Sequence, residues 1–224
     1  MHLYQRLAQN VATWRTQGYP HAQYPAIAEI LDYATLPEST SLRLLRRAQL
    51  RALETYWYLR LVEGTPHIFD LYRKYYPGME ILAALGLDAQ PIKDWLMQEM
   101  FSGGSIESLW DHIRDDADFV KAYKLESVHE TLVLDYPSYI LALAMGAGKT
   151  MLIGAIVATE FAMALEYPGD DCPFIQNALV FAPGLTILES LRELAEVRYD
   201  KLLPPRLYTP FEATYKLILS LIHI

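Results

Sequence analysis

The sequence predicts an α/β chain: a mostly helical region over residues 1–130, then a parallel sheet flanked by helices over 131–218. Three observations carry that expectation. Apolar residues recur at helical spacing up to about residue 125. From Leu132 onward, short apolar runs alternate with helical patterns, in the order strand, helix, strand, helix of a βαβα unit. A glycine-rich turn inside LALAMGAGKTMLIGAI (141–156) joins the first of those runs to the first of those helices.

The helical elements follow in order. Met1–Trp14 and Pro25–Tyr33 are amphipathic. Ser41–Val62 is the longest pattern of the first region, stopped by Gly64 and Pro66. Its Leu42, Leu45, Ala52, Tyr56 and Leu59 form one stripe. Leu50, Leu53, Trp57 and Leu61 form a second, so the helix is expected to be largely buried. Arg43, Arg47 and Arg51 recur at spacing four and read as a solvated face rather than a DNA contact. The Trp57/Tyr58 pair reads as helix packing rather than a base-stacking platform. Shorter helices are expected at His67–Tyr76, Met79–Leu85, Pro91–Met100 and Ser105–Asp115, with FSGGS (101–105) as a hinge or loop.

In the second region, Ile140–Met145 and Ala178–Ala182 are the predicted strands. Met151–Leu165 is apolar on nearly every face, as a helix lying on a sheet would be. YPGDDCP (167–173) is a loop by composition. Thr186 and Glu189 fit a capping box opening a helix that runs to about Val197.

Composition narrows the function. The net charge of −8 argues against whole-chain attraction to nucleic acid, while leaving room for a local basic patch. The single cysteine, Cys172, can form no internal disulfide and no cysteine-rich zinc site. The six histidines show no metal-ligand spacing. The start MHLYQRLAQN lacks the features of a signal peptide, so the expected compartment is a cytoplasmic one. The long apolar region Tyr139–Leu165 contains Lys149, and a charge at mid-bilayer costs about 2.5–3.5 kcal/mol, so no membrane span is expected.

The glycine turn has the chemistry of a phosphate cradle. Glycines allow a tight turn that presents backbone N–H groups to an anion. The helix that follows points its positive end at the same place. Lys149 adds a full charge within reach of β- and γ-phosphates, and the Thr150 hydroxyl can ligate Mg²⁺. The general phosphate-loop pattern asks for glycine where this chain has Leu143.

Ala144-Met145-Gly146-Ala147-Gly148-Lys149-Thr150 resembles motif I of superfamily 2 helicases and translocases, which often lack that outer glycine. NALVFAPGLTILESLREL (177–194) resembles their motif Ia. More narrowly, these stretches and IGAIVATEFAMALEYP resemble the ATPase (Res) subunit of type III restriction enzymes and its DEAD/DEAH-box relatives, over residues 40–62 and 130–210. The resemblance implies the first part of a RecA-like domain, truncated, in an ATP-dependent DNA helicase or translocase. Gly146, Ala147, Gly148, Lys149 and Thr150 would hold ATP and Mg²⁺, with Lys149 and Thr150 as the catalytic pair. Gln49 would be the adenine-reading glutamine, 100 positions before Lys149, with the helices between as an insertion; the alternative is a surface position on a long helix. Pro183, Gly184 and Thr186 would contact DNA phosphates, duplex DNA being the expected substrate, or serve only as a helix cap. A methyltransferase (modification) subunit is the implied protein partner.

The relatives also carry an acidic Asp-Glu box after motif Ia, and no Asp-Glu pair occurs in this chain. ATP binding without hydrolysis is therefore expected of it, as the front of a longer motor. LSLIHI (219–224) is the in-frame translation of a sequencing-transposon end, and native sequence is expected to stop near Ile218. Two other functions stay open: a different phosphate-loop enzyme such as a kinase, and a helical interaction module whose loop is inert.

Overall fold

The computed structural model describes residues 1–179 and 193–214. Every regular element among them is a helix, and the one β contact is an isolated antiparallel bridge between Thr35 and Leu42. The fold is all-helical, which overturns the expected α/β chain and the RecA-like parallel sheet. A strand is defined by backbone bonds to a neighbouring strand. Ile140–Met145 finds none among the described residues, and Ile140 and Met145 stand 91% and 95% exposed. An apolar run without a ladder partner stays irregular. Ala178 and Leu179 are likewise irregular, and the rest of the second predicted strand lies outside the described residues.

The chain forms two compact units. The first comprises Met1–Asn10 and Glu63–Ile140. It holds the start of α1 (Leu3–Thr16), then α4 (Ile68–Tyr75), α5 (Glu80–Ala84), α6 (Gln90–Phe101), α7 (Ile106–Asp115), α8 (Ala117–Tyr123) and α9 (Glu126–Leu132). Side chains cap three of these helices. His67 Nδ1 accepts from the Phe69 N–H (3.1 Å), Ser105 Oγ from Glu107 (3.2 Å) and Asp116 Oδ1 from Phe119 (2.9 Å), each filling an orphan first-turn donor. Leu71, Leu82, Leu96, Leu109 and Ile113 form the core, with Trp110 edge-on to Phe69 at 4.9 Å.

The second unit comprises Val11–Val62 and residues from Leu141 onward. Its helices are the rest of α1, α2 (Ala26–Tyr33), α3 (Arg47–Trp57, continued as a π-helical turn over Tyr58–Val62), α10 (Lys149–Glu166) and α11 (Pro205–Thr214). α10 is the hub: it packs on α2, α3, α11 and the short 3₁₀ turn Glu193–Glu196. Burial therefore runs round most of α10, with no sheet beneath it among the described residues. No helix among the described residues is long and apolar enough to cross a membrane.

α3 begins six residues later than its apolar pattern suggests. The Thr35–Leu42 bridge and the bond from Arg43 N–H to Ala34 O (2.9 Å) hold the preceding segment out of the helix. Arg43 consequently leaves the arginine row: it stacks on Tyr33, 4.2 Å from the ring centre, and bonds Tyr33 O. Arg47 and Arg51 remain exposed. The fully buried Trp57 donates to Thr159 Oγ1 on α10 at 3.1 Å.

Two buried carboxylates complete this unit. Glu54 accepts from Arg15 Nε (2.6 Å), from Arg15 Nη2 and from Tyr19 (2.7 Å). Glu160 accepts from Tyr56 (2.6 Å), Arg60 Nε (3.0 Å) and the Ile175 N–H (3.0 Å). Both are wholly buried, and such charges are tolerated only with partners of this kind.

Candidate functional site

The glycine loop and Gln49 lie in the same unit, and the fold brings them together. The Ala147 N–H bonds Ala144 O (3.2 Å) and closes a turn. Gly146 (φ 73°) and Gly148 (φ 77°, ψ 56°) are both left-handed, a conformation open to glycine and disfavoured for other residues. α10 then starts at Lys149, two residues before the apolar pattern begins, with Gly148 as its N-cap. The first N–H groups of a helix have no acceptor within it, and the helix dipole adds positive potential there. Lys149 is exposed and Thr150 half-buried at that end.

The start of α3 holds the loop from the other side. Arg46 Nη1 donates to Gly146 O at 2.9 Å. Gln49 Nε2 donates to Ala147 O and Gly148 O, each at 2.9 Å. Gln49 Oε1 accepts the Arg46 N–H at 2.6 Å. Three successive loop carbonyls thus face side-chain donors. Peptide planarity turns the N–H of the next residue the opposite way in each unit. The N–H groups of Gly148 and Lys149 therefore point away from Gln49, as an anion cradle needs.

Gln49 is 3% exposed rather than a surface position. Both donors of its amide are spent on the loop, and an adenine contact would have to exchange those bonds. In this arrangement Gln49 positions the loop.

A cavity of about 360 Å³ opens beside Gly148. Leu44, Met151 and Val197 supply an apolar wall; Arg46, Gln49, Thr150 and Glu193 supply polar groups. Its size and mixed lining suit a flat base or sugar next to phosphates. The Thr150 hydroxyl and the Glu193 carboxylate are oxygen donors of the type Mg²⁺ takes alongside phosphate oxygens.

Arg46 and Glu193 were not legible as site residues. Arg46 sits three positions before Gln49, so a helix start at Arg47 would have pointed to it. Glu193 reaches the cavity through the chain path alone and carries no local signal. Pro183, Gly184 and Thr186, the expected nucleic-acid contacts, lie outside the described residues, as do residues 219–224. Compared with known proteins, the chain matches no family model, no curated protein and no solved structure.

Proposed function

We propose that the chain binds ATP–Mg²⁺ through Gly146–Thr150. One observation carries this: two left-handed glycines end at the N-terminus of an 18-residue helix, with their carbonyls held aside by Arg46 and Gln49. Lys149 supplies charge for the β- and γ-phosphates. Thr150 holds the metal through its hydroxyl. The cavity beside Gly148 takes the nucleoside.

On the residue patterns of motif I and motif Ia, the wider activity is that of an ATP-dependent DNA helicase or translocase similar to the restriction-enzyme ATPase subunit. DNA is then the partner, contacted through Pro183, Gly184 and Thr186. That part rests on sequence alone. A second reading, a helical interaction module with an inert loop, is favoured by the absence of a sheet among the described residues.

Calorimetry with ATP–Mg²⁺, beside a phosphate-release assay, tests the proposal. Weak saturable binding is expected, reduced about tenfold or more in Lys149→Ala, with negligible turnover. Failure to bind any nucleotide selects the interaction module. Robust DNA-stimulated turnover would refute binding without hydrolysis.

A further inference from the structure

An amide reads adenine by donating and accepting at the same edge. Gln49 has no donor left to give. Its Nε2 donates to Ala147 O and to Gly148 O, and its Oε1 already accepts the Arg46 N–H. Turning the amide toward a base would exchange bonds already made for bonds of the same kind. It would also strip two loop carbonyls of their donors, and unpaired buried carbonyls are costly. The side chain is 3% exposed and lies against the Gly148 backbone, where an added Cβ would overlap Nε2. Bonding and packing together fix the amide on the loop.

The rest of the cavity beside Gly148 offers a base little to distinguish it. Leu44, Met151 and Val197 are apolar and pack against any planar ring alike. Arg46 and Glu193 line the same cavity but are exposed, so water satisfies them where a base does not. Strong discrimination, about 10⁴-fold, comes from polar groups in a site that the wrong ligand leaves buried and unpaired. Here the buried polar side chain is paired whichever base is bound.

We propose, resting on Gly146–Thr150 as a phosphate loop, that this site takes nucleoside triphosphates without regard to the base. ATP is then one member of a class that includes GTP, CTP and UTP. The triphosphate and its Mg²⁺ carry recognition, and the base lies against the apolar wall. Gln49 is a positioning residue: it holds the Ala147 and Gly148 carbonyls aside so that the loop N–H groups face the phosphates.

Calorimetry on the full chain, with the Mg²⁺ complexes of ATP, GTP, CTP and UTP, tests this. The four dissociation constants are expected to fall within about threefold of one another. Gln49→Ala should weaken all four by one common factor, about fivefold, and leave their ratios unchanged, because a loop that is no longer held must be ordered on binding. Circular dichroism checks that the variant folds. The ratios in the parent chain need no variant, so a misfolded Gln49→Ala does not remove the test. A preference for ATP of about tenfold or more over the other three would overturn base-blind binding. If that preference vanished in Gln49→Ala, the amide would be reading adenine; if it persisted, another group would be. Unaltered affinities in a folded Gln49→Ala would overturn the positioning role. Absence of binding by all four nucleotides would refute the phosphate loop itself, and base-blind binding with it.

Discussion

Gly146 and Gly148 share a backbone conformation but answer different demands. A Cβ on Gly146 would meet nothing within 4 Å, so its cost is conformational alone. A Cβ on Gly148 would overlap Gln49 Nε2, the group that bonds Ala147 O and Gly148 O. Gly146→Ala should therefore destabilise by about 1–2 kcal/mol, the strain of a left-handed alanine. Gly148→Ala should cost that much and also expel the Gln49 amide from the loop. The coupling is measurable. Denaturant unfolding of Gly148→Ala, Gln49→Ala and the double variant should be clearly non-additive, because removing the amide relieves the overlap. Additive losses would show that the amide does not constrain Gly148. ATP binding should fall in Gly148→Ala and be affected less in Gly146→Ala.

At the scale of elements, α10 sets propensity against packing at Gly154. Glycine inside a helix is less favourable than alanine by about 1 kcal/mol. A Cβ there would lie 2.9 Å from Leu194 Cδ2 and 3.1 Å from the Tyr199 hydroxyl oxygen. Tyr199 is itself pinned by its bond to Leu194 O (2.8 Å), so neither neighbour yields easily. Overpacking of about 1–3 kcal/mol should outweigh the propensity gain, and Gly154→Ala should lower the unfolding midpoint. A raised midpoint would mean that the 3₁₀ turn gives way. The same helix shows what local pattern can and cannot reveal. Its all-round apolar surface announced burial, and His67 and Ser105 mark starts that caps make readable. The nature of the covering surface was not readable, because helices α2, α3 and α11 bury a face as well as a sheet does. Ile140–Met145 has strand composition, but a strand also needs a partner, which composition does not supply. The displaced start of α3 depends on the Thr35–Leu42 bridge, a contact between segments that periodicity treats separately.

On the scale of the whole molecule, buried tyrosines tie stability to alkaline pH. Tyr19 and Tyr56 are pushed well above the usual phenol value, first by burial. For Tyr19 the bond to Glu54 comes next; for Tyr56 it is the charge of Glu160. Burial also pushes Tyr199 and Tyr139 up to about 12. A raised phenol pKa means that the folded chain keeps protons which the unfolded chain releases from about pH 10 upward. Between those values the unfolded state binds fewer protons, so stability falls as pH rises. The contribution is complete below pH 10 and is lost progressively as the pH approaches 12 for Tyr199 and Tyr139. For Tyr19 and Tyr56 the decline extends further, because each phenolate would face a buried carboxylate. Unfolding free energies at about pH 8, 9 and 11.5 should therefore be level between the first two and drop at the third. Tyr19→Phe with Tyr56→Phe should start lower at pH 8, by about 1 kcal/mol for each lost hydrogen bond. Its decline above pH 10 should be shallower than that of the parent chain, since the two most strongly shifted phenols are gone. An equally steep decline in the double variant would show that Glu54 and Glu160 do not hold the phenol protons as the structure implies.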